Sequence, residues 1–221
     1  MIRKVHKYIG LLVSLQLLAW TVSGTYFAFK NIDTIRGTPY RQAAEFHSFE
    51  LSKFNNSYLA KELHMIFRLG EPVMVVQDEN DTIYFDAAGK PVAEITGQQA
   101  VEIVNKKTNL TPLEAIRIDK DYPGSEFRGR ELPLYKVTTD SSDNVNVYLN
   151  AMSGEVTAIR SESWRIWDFL WGLHIMDYVD RDDFHNIWLK IFSVLAIVTS
   201  LSGIVLFVIS SAWWSRRRSK L

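Results

Sequence analysis

Two long apolar stretches, Ile9 to Phe29 and Ile187 to Trp214, stand at opposite ends of the chain and restrict its folding more than any other feature. Each reaches the roughly 20 apolar residues that cross a hydrocarbon core of about 30 Å. Inside lipid a single segment satisfies its own backbone N–H and C=O groups only as a helix, so two membrane-crossing helices are expected, with a body outside the bilayer between them. A histidine leads each stretch: His6 precedes Gly24 by 18 residues, and His185 precedes Gly203 by the same 18. Ionisable groups at a membrane boundary are costly and often functional, and neutral imidazole is a common ligand for metals and haem iron.

The flanks orient the chain. Arg3, Lys4 and Lys7 precede the first stretch, while Arg216, Arg217, Arg218 and Lys220 follow the second. Positive flanks stay in the cytoplasm, so both termini are expected there and the middle on the outer side. The first stretch is longer than the apolar part of a signal peptide, and Ser23-Gly24-Thr25 is a weak cleavage site, so it reads as an uncleaved anchor. Those seven cations leave 18 basic residues against 25 acidic ones, so a formally neutral chain has an acidic middle. Such a surface disfavours nucleic acid and attracts cations. The chain has no cysteine, which excludes disulfides, thiolate-bound iron–sulfur clusters, c-type haem attachment and thiol redox chemistry. If it handles electrons, it does so with a borrowed cofactor.

The intervening region reads as α+β with an internal repeat. Asn56-Ser57 suits the start of a helix reaching about Leu69, followed by strands over Pro72 to Asp78 and Thr82 to Asp86 and a short strand near Val92 to Ile95. A second helix from about Gln98 to Lys107 restarts the cycle, with strands at Leu134 to Thr139, Val145 to Asn150 and Val156 to Ile159. The segment from Ile83 to Val92 corresponds to that from Val147 to Val156, with the turn glycine displaced by one place. The expected divisions are a first membrane helix within residues 1–29, a two-repeat body over 30–161, an interfacial helix and bend over 162–183, a second membrane helix over 184–214 and a basic tail over 215–221.

Three histidines compete for a role. His6 shares a helical face with Gly10, Val13, Leu17, Trp20 and Gly24. A glycine one turn from a histidine leaves space for a flat macrocycle, although small residues also serve close helix packing. His185 leads a face of Trp188, Leu189, Phe192, Ala196, Thr199 and Gly203, but Asp182, Asp183 and Asn186 beside it also suit a solvated helix start. Trp164, Trp167, Trp171, His174 and Tyr178 recur at spacings of one helical face. That stripe reads either as an amphipathic helix on the outer leaflet or as an aromatic cover for a cofactor bound at His174.

Eighteen residues of helix rise about 27 Å, so His6 cannot share an iron with the outer histidines. His174 and His185 could approach one another only if Asp177 to Asp183 forms a bend. His47 and His64, the latter placed within the first soluble helix, read as ordinary surface or core residues. The acidic run Asp119, Asp121, Glu126 and Glu131, interleaved with Arg128 and Arg130, reads as a solvated loop that could also present a cationic substrate.

The helix from Gln98 to Val104, the strand ending Tyr148-Leu149-Asn150 and the turn Ser153-Gly154-Glu155-Val156 resemble a PepSY domain. His6-Lys7-Tyr8-Ile9-Gly10-Leu11 is similar to the His-Arg-x-x-Gly-Leu opening of PepSY-associated transmembrane proteins, and Leu173-His174 resembles the Leu-His that this family places before its next membrane helix. The resemblance implies a bacterial inner-membrane protein linked to iron acquisition, similar to haem-containing reductases of ferric siderophores. It implies haem b with His6, His174 and His185 as candidate iron ligands, Gly10 making room and Trp171 walling the site. Many members have four membrane helices where this chain shows two, which points to a homodimer or a larger membrane partner. The functional expectation is electron transfer to ferric iron or a ferric siderophore. Two alternatives stay open: a membrane-anchored PepSY binding protein without enzymatic activity, or a small subunit that completes a haem site with a larger partner.

Overall fold

In the computed structural model, which describes residues 2–43, 48, 60–79 and 81–210, the chain divides into a central unit over 31–166 and a terminal unit over 1–30 and 167–221. The central unit is α+β. Helix α1 (Ile2–Phe29) precedes it, and a short helix α2 (Ile32–Ile35) opens it. A three-stranded antiparallel meander follows, β1 (Glu62–Arg68), β2 (Glu71–Gln77) and β3 (Thr82–Asp86). Next come α3 (Gly97–Lys107) and a four-stranded antiparallel sheet in sequence order, β4 (Pro112–Ile118), β5 (Leu134–Thr139), β6 (Asn146–Asn150) and β7 (Val156–Arg160). Helices α4 (Glu162–Ile175) and α5 (Ile187–Ser210) complete the described chain.

Local chemistry explains the best-defined elements. Thr96 caps α3: its hydroxyl accepts the Gln99 N–H while the Gln99 side chain accepts the Thr96 N–H, which satisfies two otherwise orphaned donors. Ala100, Ile103 and Val104 fall on the buried face of that helix and pack with Tyr135, Val137, Val147, Leu149 and Ile159. Those sheet residues alternate with Leu134, Tyr148 and Ala158, which pack with Phe127 in a separate cluster. The period of two therefore places one core on each face of the four-stranded sheet.

Residues 62–69, expected as the end of a helix, form β1 and the start of a hairpin. Leu63, Ile66 and Phe67 have a helix-like spacing, but Leu69 and Gly70 both adopt positive φ, 56° and 93°, in a two-residue connection between paired Arg68 and Glu71. That is the geometry that matches strand twist and closes a hairpin. The Asn56-Ser57 start lies outside the described residues. Val92 to Ile95 is also not a strand: Phe85 pairs only with Pro91 there, and the Val92 N–H donates to Tyr84 O. The two turns that the sequence set in correspondence are built alike. Asp86 Oδ1 accepts the N–H groups of Ala88 and Lys90, and Asn150 Oδ1 accepts those of Met152 and Ser153, each ahead of a positive-φ glycine. Strand β4 went unread in the sequence.

The acidic loop is not simply solvated. Glu126 Oε2 accepts from the Tyr148 hydroxyl at 2.7 Å and from Asn146 at 3.2 Å, while Oε1 accepts from Arg165 Nε at 2.6 Å. Burial pushes the Glu126 carboxyl up, but the hydrogen bonds from Arg165, Tyr148 and Asn146 outweigh it and hold it below its ordinary value. Arg160 donates to Glu126 O and lies over the Trp164 ring at 4.3 Å, so the first turn of α4 is fastened to this loop.

Two outcomes follow for the full-length protein in detergent. Gly37 has φ of 77°, and a Cβ there would lie 2.6 Å from Ile159 Cβ. Gly37→Ala is expected to cost about 2 to 4 kcal/mol, read as a lower thermal midpoint by circular dichroism. Because the folded Glu126 value is depressed, its stabilisation is complete above the ordinary value of 4.5 and is lost as pH falls through the lower folded value. The thermal midpoint should therefore fall on acidification below about pH 5 by a smaller amount in Glu126→Gln than in the wild type.

Candidate histidine sites between the membrane helices

Among the described residues, helices α1 and α5 are the two long and apolar enough to cross a membrane, over His6–Phe29 and Ile187–Ser210. They run antiparallel. His6 meets Ser202 and Gly203, Gly10 faces Thr199 with 3.7 Å between its Cβ position and Thr199 Cγ2, and Val13 and Ala196 are buried. The faces read from the sequence thus meet each other, and the 18-residue spacing takes on a different meaning. A Cβ on Gly203 would lie 3.4 Å from His6 Cε1, whereas one on Gly24 would have nothing within 4 Å. Gly203 makes room for the histidine of the other helix.

The part of α4 beyond residue 166 packs along the other end of α1. Phe27 lies 5.3 Å from Trp167, 6.1 Å from Trp171 and 5.7 Å from His174 between ring centroids, and Trp20 lies 6.4 Å from His174. Trp167 and Trp171 are nearly parallel at 5.3 Å, as are Trp171 and His174 at 6.2 Å. The expected aromatic stripe is thus realised over Trp167, Trp171 and His174. Trp164 is instead buried under Arg160 in the central unit, and Tyr178 is exposed beyond the end of α4.

His174 Nδ1 lies 2.7 Å from Ser23 Oγ, and His6 Nδ1 lies 2.7 Å from Ser202 Oγ. Burial pushes the His174 imidazole down, towards its neutral form. Ser23 stands 17 residues beyond His6 on α1, a rise of about 25 Å, so the two sites lie in separate layers. One turn from Ser202, the buried Thr199 Oγ1 has no hydrogen-bond partner among the described residues.

The bend that the sequence required between His174 and His185 exists. The Asp177 carboxylate accepts the N–H groups of Val179, Asp180, Asp182 and Asp183, and Met176 and Arg181 take positive φ. Buried Asp168 pairs with Arg181 at 2.5 Å, and the lack of a side chain at Gly172 lets the bend close on α4, since a Cβ would lie 3.0 Å from Asp177 O. His185 is exposed ahead of α5, its N–H bonded to Asp183 Oδ1, and its ring makes no hydrogen bond among the described residues. Asn186, beside it, caps α5 by accepting the Leu189 N–H.

His64 is on β1 and exposed, with Nδ1 3.6 Å from Glu62, and His47 lies outside the described residues. Among the described residues no group of three or more His, Cys, Asp and Glu side chains is placed to hold a metal ion. The central unit has a cleft of 440 Å³ bounded by Arg68, Glu71, Pro72, Asp86 and Gln99. The sequence reading missed Gln16, Ser23 and Ser202. Their one signal was a polar side chain inside an apolar helix, which the bilayer tolerates only with a partner.

Residues 3–221 match the family described as PepSY-associated TM region. The mitochondrial sodium/calcium exchanger protein of Caenorhabditis elegans is 30% identical over 103 residues, 43% of this chain, and the chain spans 15% of the length of that relative. No solved structure matches. The chain belongs to the PepSY-associated transmembrane family.

Proposed function

We propose that this protein is a membrane electron-transfer component that holds b-type haem through His174 on one side of the bilayer and His6 on the other, and passes electrons to ferric iron or a ferric siderophore. The observation that carries the reading is the His174 site. Its imidazole is half-buried, shifted towards the neutral form, held at Nδ1 by Ser23 and set parallel to Trp171, with no hydrogen bond to Nε2 among the described residues. A neutral imidazole oriented through one nitrogen is suited to bind a metal through the other.

The donor set would let one imidazole in each layer hold the iron. His6 has the same serine contact and is bordered by two glycines, Gly10 one turn away and Gly203 against the ring. A bound haem would supply the one-electron couple that a chain without cysteine needs. The chain's own residues orient the imidazoles, and Trp20, Phe27 and Trp171 border His174 with apolar surface, with Trp167 stacked behind Trp171. A histidine of a second copy of the chain would complete the hold on such a group, which would make the active form a homodimer. The ferric acceptor rests on the resemblance to siderophore reductases and on the acidic middle of the chain. Exchange of sodium and calcium is not carried over from a relative matched over 15% of its length.

A single serine-held histidine per layer also favours a second reading, in which a larger membrane partner supplies the other ligand. Purified full-length protein, expressed with a haem precursor, tests both. The dithionite-reduced spectrum should show a b-type band at about one half to one haem per protomer for each occupied layer. His174→Ala should remove the outer share. A wild-type protein with no band would defeat the homodimer reading, and a band that appears only after co-purification with another membrane protein would establish the second. With no band under either condition, an anchored binding protein remains.

A further inference from the structure

A serine hydroxyl has one proton to give, and in both histidine pairs a carbonyl of its own helix competes with the imidazole for it. Ser23 Oγ donates to Ala19 O at 2.7 Å, with Trp20 O sharing the bond at 3.1 Å. Ser202 Oγ donates to Thr199 O at 2.9 Å. This bonding back to a carbonyl three or four residues earlier is the usual resort of serine in an apolar helix, where no water is at hand. With its proton on that carbonyl, each hydroxyl offers only its lone pairs to the imidazole nitrogen 2.7 Å away. The nitrogen facing it must then carry a hydrogen. In neutral imidazole one nitrogen holds the proton and the other a lone pair, so Nδ1–H leaves the lone pair on Nε2.

We infer that Ser23 and Ser202 are positioning residues that lock His174 and His6 in the Nδ1–H tautomer and so present each Nε2 lone pair as a ligand for haem iron. The iron half rests on the proposed function; the tautomer does not. The opposite tautomer would require each serine to turn its proton from the helix carbonyl to the ring. At Ser23, which is fully buried, no solvent is present to take up the carbonyl left behind. The two locks are built in opposite senses. On the outer side the serine is on α1 and the histidine on α4, whereas on the inner side the histidine is on α1 and the serine on α5. Helix α1 therefore takes part in both, once as acceptor and once as donor. Trp171, parallel to the His174 ring, limits rotation of that imidazole about its bond to serine.

The test uses full-length protein in detergent micelles, labelled with nitrogen-15 in its histidine rings and prepared without haem at about pH 8, where imidazole is neutral. Two rings are expected in the Nδ1–H form. Ser23→Ala should move His174 towards the Nε2–H form while His6 keeps its signal, which also shows that the fold survives, and Ser23→Thr should restore the wild-type pattern. Hemin titrated into the same samples should bind about tenfold or more weakly to Ser23→Ala than to the wild type, with recovery in Ser23→Thr. A wild-type Nε2–H tautomer, or one that Ser23→Ala leaves unchanged, overturns the lock. An altered tautomer with unaltered hemin affinity overturns its positioning role. If the wild-type tautomer is as expected but hemin does not bind, the lock stands and the haem reading falls.

Discussion

The terminal unit depends on how the last turn of α4 disposes of its carbonyls. A helix that ends away from bulk water leaves its final C=O groups without partners, and three side chains from neighbouring segments take them. Gln16 Nε2 donates to Leu173 O at 3.0 Å, Trp20 Nε1 to His174 O at 2.7 Å and Asn186 Nδ2 to Ile175 O at 2.8 Å. Two of these donors are on α1 and the third caps α5, so one set of bonds ends α4, starts α5 and binds both to α1. His174 is held by this arrangement through its backbone before its ring makes any contact. The bend over Asp177 to Asp183 can stay short because the Asp177 carboxylate absorbs four of its N–H groups, leaving fewer for outside partners to satisfy.

The central unit solves a comparable problem with charge. A carboxylate with a largely covered side chain would ordinarily be a liability, yet Glu126 collects a guanidinium, a phenol and an amide. Its bonds join the loop before β5 to β6 and to the first turn of α4, beside the apolar cluster in which Phe127 of that loop packs on Tyr148. A polar hub of this kind orders a long connection without needing regular structure in it.

Periodicity made much of the architecture legible before any coordinates. The bounds of α3, β2, β3, β5, β6 and β7 agree with the sequence reading to within a residue or two, because each has a clear alternation or cap. Strand β1 was misread as the continuation of a helix begun at Asn56-Ser57, and the turn that ends it starts with Leu69, whose residue type gives no sign of its positive φ. Strand β4 escaped because it is an edge strand that begins with proline and carries Glu114 and Arg117 outward. Of the candidate site, the histidines, Gly10 and Trp171 stood out by type and spacing. Their partners did not, since one serine in an apolar helix is unremarkable until another chain segment reaches it. The direction of packing, with Gly203 serving His6, depends on the antiparallel register of two helices, which no local pattern encodes.

The distance along the chain between each histidine and its serine has a bearing on biogenesis. His174 and Ser23 are 151 residues apart, and His6 and Ser202 are 196 apart. During synthesis α1 emerges first and must wait for nearly the whole polypeptide before either of its imidazole contacts can close. The central unit, whose contacts are local by comparison, has the time to fold as a body of its own while that helix stands alone in lipid. Both half-sites are thus products of the last assembly step, the arrival of α4 and α5 alongside α1. A ligand of either imidazole would meet the finished contact only after translation, rather than on a nascent helix.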